Sequence, residues 1–172
     1  MRKSTYVAVG AAVLLVGGIS PSLACEMAAM GKLEELRLAK PVEGEVGAGF
    51  GDREHPILRV VRQHPGIDFI AQIGTPVVPA LAGRIVAARY SGEHGNRIVV
   101  DHGHGITSSY SHLSRYSDAA RQGGCVRSGE VIGYVGNTGL AAEPHLHFEV
   151  QLNARAVDPA PLLGLASSVV RP

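Results

Sequence analysis

From residue 42 onward, the chain consists of short stretches in which polar and apolar residues alternate, separated by glycine-containing turns. Alternation with a period of two is typical of β-strands, because successive side chains point to opposite faces. The clearest stretch is residues 144–150, and it predicts a strand that anchors one face in a core. The core face holds Leu146, Phe148 and Val150, and the opposite face holds His145, His147 and Glu149.

Two histidines side by side on a rigid strand suit the pairing of a metal ligand with a neighbouring base. A surface strand that happens to carry two histidines is the alternative. The rest of the sequence has to decide between these two interpretations.

A second candidate pair is His64 and Asp68, which are four residues apart. Pro65 and Gly66 lie between them and argue against a helix, so we expect a loop running into a strand that brings both side chains to one side. An imidazole and a carboxylate form a normal partial ligand set for zinc. A turn histidine beside a capping aspartate is the alternative for this pair taken alone.

The other histidine-containing stretches are interpreted differently. His94 lies in a loop and is expected to be solvated. Residues 101–105 have the sequence Asp-His-Gly-His-Gly. They are expected to form a tight turn rather than a second metal site, because glycine permits the backbone conformations that a tight turn requires. Residues 106–113 are expected to form another strand, in which alternation predicts a shared face for Ser108, Tyr110 and His112.

Composition indicates one globular domain and gives no sign of a nucleic-acid partner. The chain has 172 residues, of which 45% are hydrophobic and 18% charged, so it can enclose a core. Its formal net charge is +1, from 16 basic and 15 acidic residues, which offers no electrostatic argument for nucleic acid or an anionic membrane surface. The absence of tryptophan leaves few stacking platforms for bases or sugar rings.

The N-terminus has the pattern of an export signal. Arg2 and Lys3 precede an uncharged, mostly apolar run, and a small-x-small pattern ends at Ala24. We therefore expect a periplasmic or extracellular protein. The expected segments are a signal peptide (1–24), a short helical spacer (25–40), the main domain (41–163) and a flexible tail (164–172).

Cys25 directly follows the expected cleavage point, which raises the question of a lipid anchor. Lipoprotein signals also end in a small residue followed by cysteine, but usually with leucine three positions earlier, where this chain has Ser22. Lipidation of Cys25, and with it membrane attachment, is therefore the less favoured option. Export also permits a disulfide with Cys125, the only other cysteine.

Several short motifs follow one another between residues 41 and 159. They are His64-x-Gly66-x-Asp68-Phe69, Gly74-Thr75-Pro76-Val77, Asp101-His102-Gly103, Tyr110-x-His112-Leu113, Gly129-x-x-Ile132-Gly133 and His145-Leu146-His147-Phe148-Glu149. In this order they resemble the lysostaphin-type (LytM-type) zinc metalloendopeptidases, which cleave peptide cross-links in bacterial cell walls. The resemblance implies an all-β fold of antiparallel sheets forming an open groove, the LytM-like duplicated hybrid motif.

The resemblance also implies roles for five residues. His64, Asp68 and His147 would hold a zinc ion (Zn2+), while His112 and His145 would act on water and substrate. Three protein ligands of mixed nitrogen and oxygen type leave a fourth position for water, as in catalytic zinc sites. The chain has no His-Glu-x-x-His motif, so a histidine must replace the usual glutamate base. Which histidine accepts the proton and which stabilises the oxyanion stays open.

The implied activity is hydrolysis of peptide bonds in peptidoglycan cross-links. One alternative is a non-catalytic LytM-type regulator that binds and activates another wall hydrolase, but such a protein should lack at least one of the five residues. A zinc-storage or sensing protein, the other alternative, would need no spare histidines beside the site. The motifs do not distinguish cross-links ending in diaminopimelate from glycine-type bridges. Glu143 stands where the family usually has glycine and is expected to border the groove.

Overall fold

The regular secondary structure is almost entirely β-strand in the part of the chain that the structure describes. The computed structural model describes Cys25 and residues 36–165. The strands are β1 (Glu45–Val46), β2 (Gly51–Glu54), β3 (Val61–His64), β4 (Ile67–Ile70), β5 (Pro76–Val77), β6 (Gly83–Tyr90), β7 (Asn96–Gly103), β8 (Ile106–Tyr116), β9 (Cys125–Val126), β10 (Gly133–Val135), β11 (His145–Leu152) and β12 (Arg155–Val157). Within this part, the helical elements are a 3-10 turn (Gly92–His94) and α1 (Pro159–Leu162).

Ten of these strands form one antiparallel sheet. Its main path runs β1-β4-β11-β8-β7-β6-β9, with β12 added to β11 and with β10 joining β5 to β8. The remaining strands, β2 and β3, form a separate antiparallel hairpin. The all-β fold of antiparallel sheets is therefore confirmed.

Strand β11 lies in the middle of the sheet and has the two faces that alternation predicted. Leu146, Phe148 and Val150 are completely buried, and the Phe148 ring packs 5.4 Å from the ring of Tyr110. Burying an apolar side chain of this size contributes about 1.5–3 kcal/mol. These three side chains therefore fix the orientation of the strand, which leaves His145 and His147 on the opposite face.

The segment that precedes the first strand covers one end of the core. Leu36 and Leu38 are buried, and the backbone of Leu38 donates to the carbonyl of Leu162 at 2.9 Å. Residues 36–40 are not helical, so the helical spacer is wrong for this part. Its residues 26–35 lie outside the described part, as do the expected signal peptide and all but two residues of the expected tail. No helix among the described residues is long and apolar enough to cross a membrane.

Cys25 and Cys125 form a disulfide with their Cα atoms 5.3 Å apart. It attaches Cys25 to β9 at the edge of the large sheet. This bond uses the sulfur atom that lipidation of Cys25 would need.

The Asp-His-Gly-His-Gly stretch forms the end of β7 and the tight turn into β8, as expected. His102 is buried, donates from Nδ1 to the carbonyl of Ala82 at 2.9 Å and accepts from the Ser108 hydroxyl at 2.7 Å. The Tyr110 hydroxyl is 2.7 Å from Ser108 and accepts from the backbone N–H of Ala80. Both side chains thus have structural hydrogen bonds inside the core.

Candidate metal centre

Three donor atoms converge where β4 pairs with β11. The register sets Asp68 directly opposite His147, and His64 ends the neighbouring strand β3. Asp68 Oδ1 lies 2.8 Å from His147 Nδ1 and 3.1 Å from His64 Nε2, and the two nitrogens are 3.0 Å apart. All three side chains are buried. Pairing of β4 with β11 and the short connection from β3 to β4 therefore bring together the three residues that the sequence suggested as metal ligands.

The turn between β3 and β4 explains why His64 reaches this point. It contains Pro65 and Gly66 and is not helical, as expected. Gly66 packs directly against the backbone of β11, where a Cβ atom would clash with the carbonyl oxygen of Phe148. Glycine thus permits a close approach that sets His64 beside His147.

Each of the three donor side chains is oriented by a partner behind it. His64 Nδ1 donates to the carbonyl of Gly49 at 2.6 Å, and His147 Nε2 donates to Glu149 Oε1 at 3.0 Å. Arg53 donates to Asp68 Oδ2 at 2.9 Å, which leaves Oδ1 facing the two imidazoles. Partners of this kind fix the tautomer and the ring orientation of metal-binding histidines.

His112 enters the site through a β-bulge, and the prediction that it shares a face with Tyr110 is wrong. Tyr110 pairs with Ile98 and Leu113 with Asn96, so two residues of β8 lie opposite the single Arg97 of β7. His112 has a left-handed backbone, with φ of 62°. This conformation interrupts the alternation and turns the imidazole towards the metal-donor face, while Tyr110 stays in the core.

His112 and His145 form a second pair of imidazoles beside the three donors. Their ring centroids are 4.6 Å apart, and the His112 centroid is 6.0 Å from that of His147. His112 Nδ1 donates to the carbonyl of Thr138 at 2.8 Å, and His145 Nδ1 donates to the carbonyl of Glu143 at 2.7 Å. In both neutral rings Nε2 is therefore the acceptor nitrogen.

Burial and neighbouring charges shift the pKa values in this cluster in different directions. Burial raises the pKa of Asp68, but hydrogen bonds from His147 and His64 outweigh it and hold this pKa far below its usual range. Burial disfavours charged His147, but Asp68 and Glu149 raise its pKa to about 9. For His112, burial dominates over its hydrogen bond to Thr138 and lowers the pKa to about 4. His112 is consequently neutral at pH 7.

His94 also lines this site, so the expectation that it is simply solvated is wrong. The 3-10 turn holds it half-buried, with Nδ1 3.9 Å from Glu149 Oε1 and its ring 6.1 Å from that of His147. His94, His147 and Glu149 form the second group of possible metal donors among the described residues. Glu149, however, is already bound by Arg97 at 3.1 Å and by His147. We therefore interpret Glu149 as a support for His147.

The donor face forms the floor of an open cleft of about 660 Å³. One wall is the β2–β3 hairpin, a second is the 3-10 turn, and a third is the loop that ends at Glu143. Glu143 borders the cleft, as expected, and its carbonyl also orients His145. A cleft of this size and shape can accept an extended peptide segment.

The sequence did not identify the supporting residues Arg53 and Glu149 as part of the site. Glu149 could have been found, because it shares the strand face of His145 and His147. Arg53 had no such signal, since its position depends on how the β2–β3 hairpin folds over β4.

The amino-acid sequence of the chain is similar to the sequences of bacterial peptidases. A DD-carboxypeptidase/endopeptidase, Mpg, from Neisseria meningitidis is 44% identical over 114 residues, which is 66% of this chain and 26% of Mpg. The peptidoglycan DD-endopeptidase ShyA from Vibrio cholerae is 36% identical over 121 residues, or 69% of this chain and 28% of ShyA. The chain thus spans about a quarter of the length of the curated relatives it matches.

The fold and the sequence together assign the family. The catalytic domain of lysostaphin from Staphylococcus simulans superimposes with a TM-score of 0.63 and is 36% identical, covering 70% of this chain and 92% of that domain. Residues 62–159 match Peptidase family M23, and this range contains all three donors as well as His112 and His145. The chain belongs to peptidase family M23.

Proposed function

We propose that the protein is a zinc-dependent endopeptidase that hydrolyses peptide bonds in peptidoglycan cross-links. The observation that carries this proposal is the pair of imidazoles beside the three-donor cluster. Each imidazole donates a hydrogen bond from Nδ1 to a backbone carbonyl. A site that only stores a metal needs no such pair. The names of the relatives and membership of family M23 support the substrate class.

The donor set fits zinc. Two imidazole nitrogens and one carboxylate oxygen are ligands that zinc accepts, and they lie within 3.1 Å of one another. We propose His64, Asp68 and His147 as the ligands. A zinc ion held by these residues would lower the pKa of a water molecule and polarise a substrate carbonyl.

His112 and His145 would carry the proton chemistry. Each presents Nε2 as acceptor when neutral, and either can take a proton from water and return it to the leaving amine. The other ring, when protonated, can donate a hydrogen bond to the oxyanion of the substrate. The low pKa of His112 favours it as the group that is neutral before reaction.

Export is part of this proposal, because peptidoglycan lies outside the cytoplasm. The Cys25–Cys125 disulfide supports an oxidising compartment, since disulfides persist there and are rare in the cytosol. The signal-like pattern of residues 1–24 supports the same location. We propose residues 41–163 as the catalytic domain.

Digestion of purified peptidoglycan by the zinc-loaded protein tests the proposed function. The expected result is new muropeptides, identified by mass spectrometry, that disappear with a chelator and return with zinc. A folded, zinc-loaded sample that leaves peptidoglycan intact but stimulates a separate wall amidase would establish the regulator instead.

A further inference from the structure

Two arginines face each other across the β2–β3 hairpin, on the side that lines the cleft. The register pairs Arg53 with Arg62 directly, and His64 lies two residues further along β3 on the same face. Like charges directly opposite one another destabilise a pair of strands. The arrangement therefore costs stability unless each guanidinium meets an anion.

Each arginine does meet a carboxylate, but in different surroundings. Arg53 binds Asp68 at 2.9 Å, with side chains that are 25% and 12% exposed. Arg62 binds Glu93 of the 3-10 turn at 2.8 Å, with side chains that are 51% and 55% exposed. An exposed ion pair of this kind contributes little to stability, because water and salt screen both charges. Glu93 is therefore a partner that another carboxylate can replace.

We propose that the Arg62 guanidinium is a binding subsite for a free carboxylate of the peptide substrate, and that Glu93 occupies it in the unliganded protein. This inference rests on the proposed endopeptidase function. Guanidinium presents a planar fork of donors that matches a carboxylate. Two residues of a strand span roughly 7 Å, so the Cα atom of Arg62 lies about that far from the Cα atom of His64. Both side chains line the same cleft.

Two substitutions distinguish a substrate subsite from a structural ion pair. Arg62→Gln and Glu93→Gln both remove the Arg62–Glu93 ion pair, so a purely structural role of that ion pair predicts the same effect for both. A carboxylate subsite predicts opposite effects, because Glu93→Gln removes the internal competitor. Arg59→Gln is a matched control, since Arg59 lies in the same hairpin, pairs with Glu54 at 3.4 Å and is 77% exposed.

The substrates are cross-linked stem peptides with free carboxylates, and two versions in which one carboxylate is amidated. One version is amidated at the chain-terminal carboxylate and the other at a diaminopimelate carboxylate. For the unmodified protein, one amidation should lower kcat/KM on the order of tenfold, as expected for a half-exposed charge-assisted hydrogen bond. Arg62→Gln should show that loss on the free substrate and no further loss on amidation. Glu93→Gln should equal or exceed the unmodified protein, and Arg59→Gln should match it.

Equal losses of kcat/KM for Arg62→Gln and Glu93→Gln would refute the proposed carboxylate subsite. A loss of kcat/KM on amidation that persists in Arg62→Gln would refute it as well. If the unmodified protein cleaves none of the peptides, the endopeptidase proposal fails by itself. Calorimetric binding of the same three peptides to the zinc-loaded variants then tests the subsite separately. The same pattern in Kd would support it, and indifference of Kd to Arg62 would refute it.

Discussion

His112 is buried, and its environment leads to a quantitative prediction about how the stability of the protein changes at acidic pH. Its folded-state pKa of about 4 lies below the ordinary value of 6.5, because burial disfavours the charged ring. As the pH falls, the unfolded chain therefore takes up a proton on this residue before the folded protein does. His112 thus lowers the free energy of unfolding progressively between pH 6.5 and pH 4, and has no such effect above pH 6.5.

The size of the effect follows from the two pKa values. Integrating the difference in bound protons from pH 7.5 to pH 5 gives a loss of about 2 kcal/mol, rising to about 3 kcal/mol at pH 4. His112→Asn removes the titrating ring, and asparagine tolerates the positive φ better than most residues. The variant should be less stable than the unmodified protein at pH 7.5, and this difference should shrink by about 2 kcal/mol at pH 5.

Urea unfolding followed by circular dichroism, in the presence of a chelator, measures this difference at each pH. His104→Asn is the control, because His104 also has a positive φ, of 46°, but an exposed side chain. Its difference from the unmodified protein should change much less with pH. A stability difference for His112→Asn that stays constant, or widens as the pH falls, would refute the assignment of His112 as a buried neutral base.

Three further predictions concern the site and its scaffold. Gly66→Ala should lower the free energy of unfolding by about 1–3 kcal/mol and reduce the zinc content, because a Cβ atom there clashes with the carbonyl oxygen of Phe148. Thermal unfolding and metal analysis measure the two effects, and an unchanged zinc content would contradict the prediction. Zinc binding at pH 7 should release a proton from His147, because the pKa of this residue is about 9 in the metal-free protein. The affinity for zinc should therefore rise from pH 7 to pH 9. Calorimetry in buffers of different ionisation enthalpy measures the released proton, and finding none would contradict the prediction. The Cys25–Cys125 disulfide closes a loop over a separation of 100 residues, so its reduction should lower the free energy of unfolding by about 2–5 kcal/mol. Urea unfolding with and without a reductant measures this change, and equal unfolding midpoints would contradict the prediction.

The central strand and its two faces were predictable because the necessary signal is local. Alternation alone orients His145 and His147, and a proline and a glycine between His64 and Asp68 exclude a helix. The conclusion that these side chains meet came instead from the order of the motifs, since strand pairing over a separation of 79 residues is not visible in local sequence.

The features that sequence reasoning missed depend on tertiary register. His112 reaches the donor face only because β8 has one residue more than β7 opposite Arg97. The residue types in this stretch do not predict a β-bulge. Arg53 and His94 come from a hairpin and a turn that fold towards the cleft from outside the donor strands. Their roles follow from where the chain folds back, which residue type and spacing do not determine.

The central claim is that two histidines on one face of β11 have different roles, with His147 as a metal ligand and His145 as a catalytic residue. It is tested most directly by measuring zinc content and turnover together in His147→Ala and His145→Ala. His147→Ala removes one of three protein ligands, so both zinc and activity should be lost. His145→Ala should keep its zinc and lose activity by about a hundredfold or more. Equal loss of zinc in both folded variants, or full activity in either one, would contradict the claim.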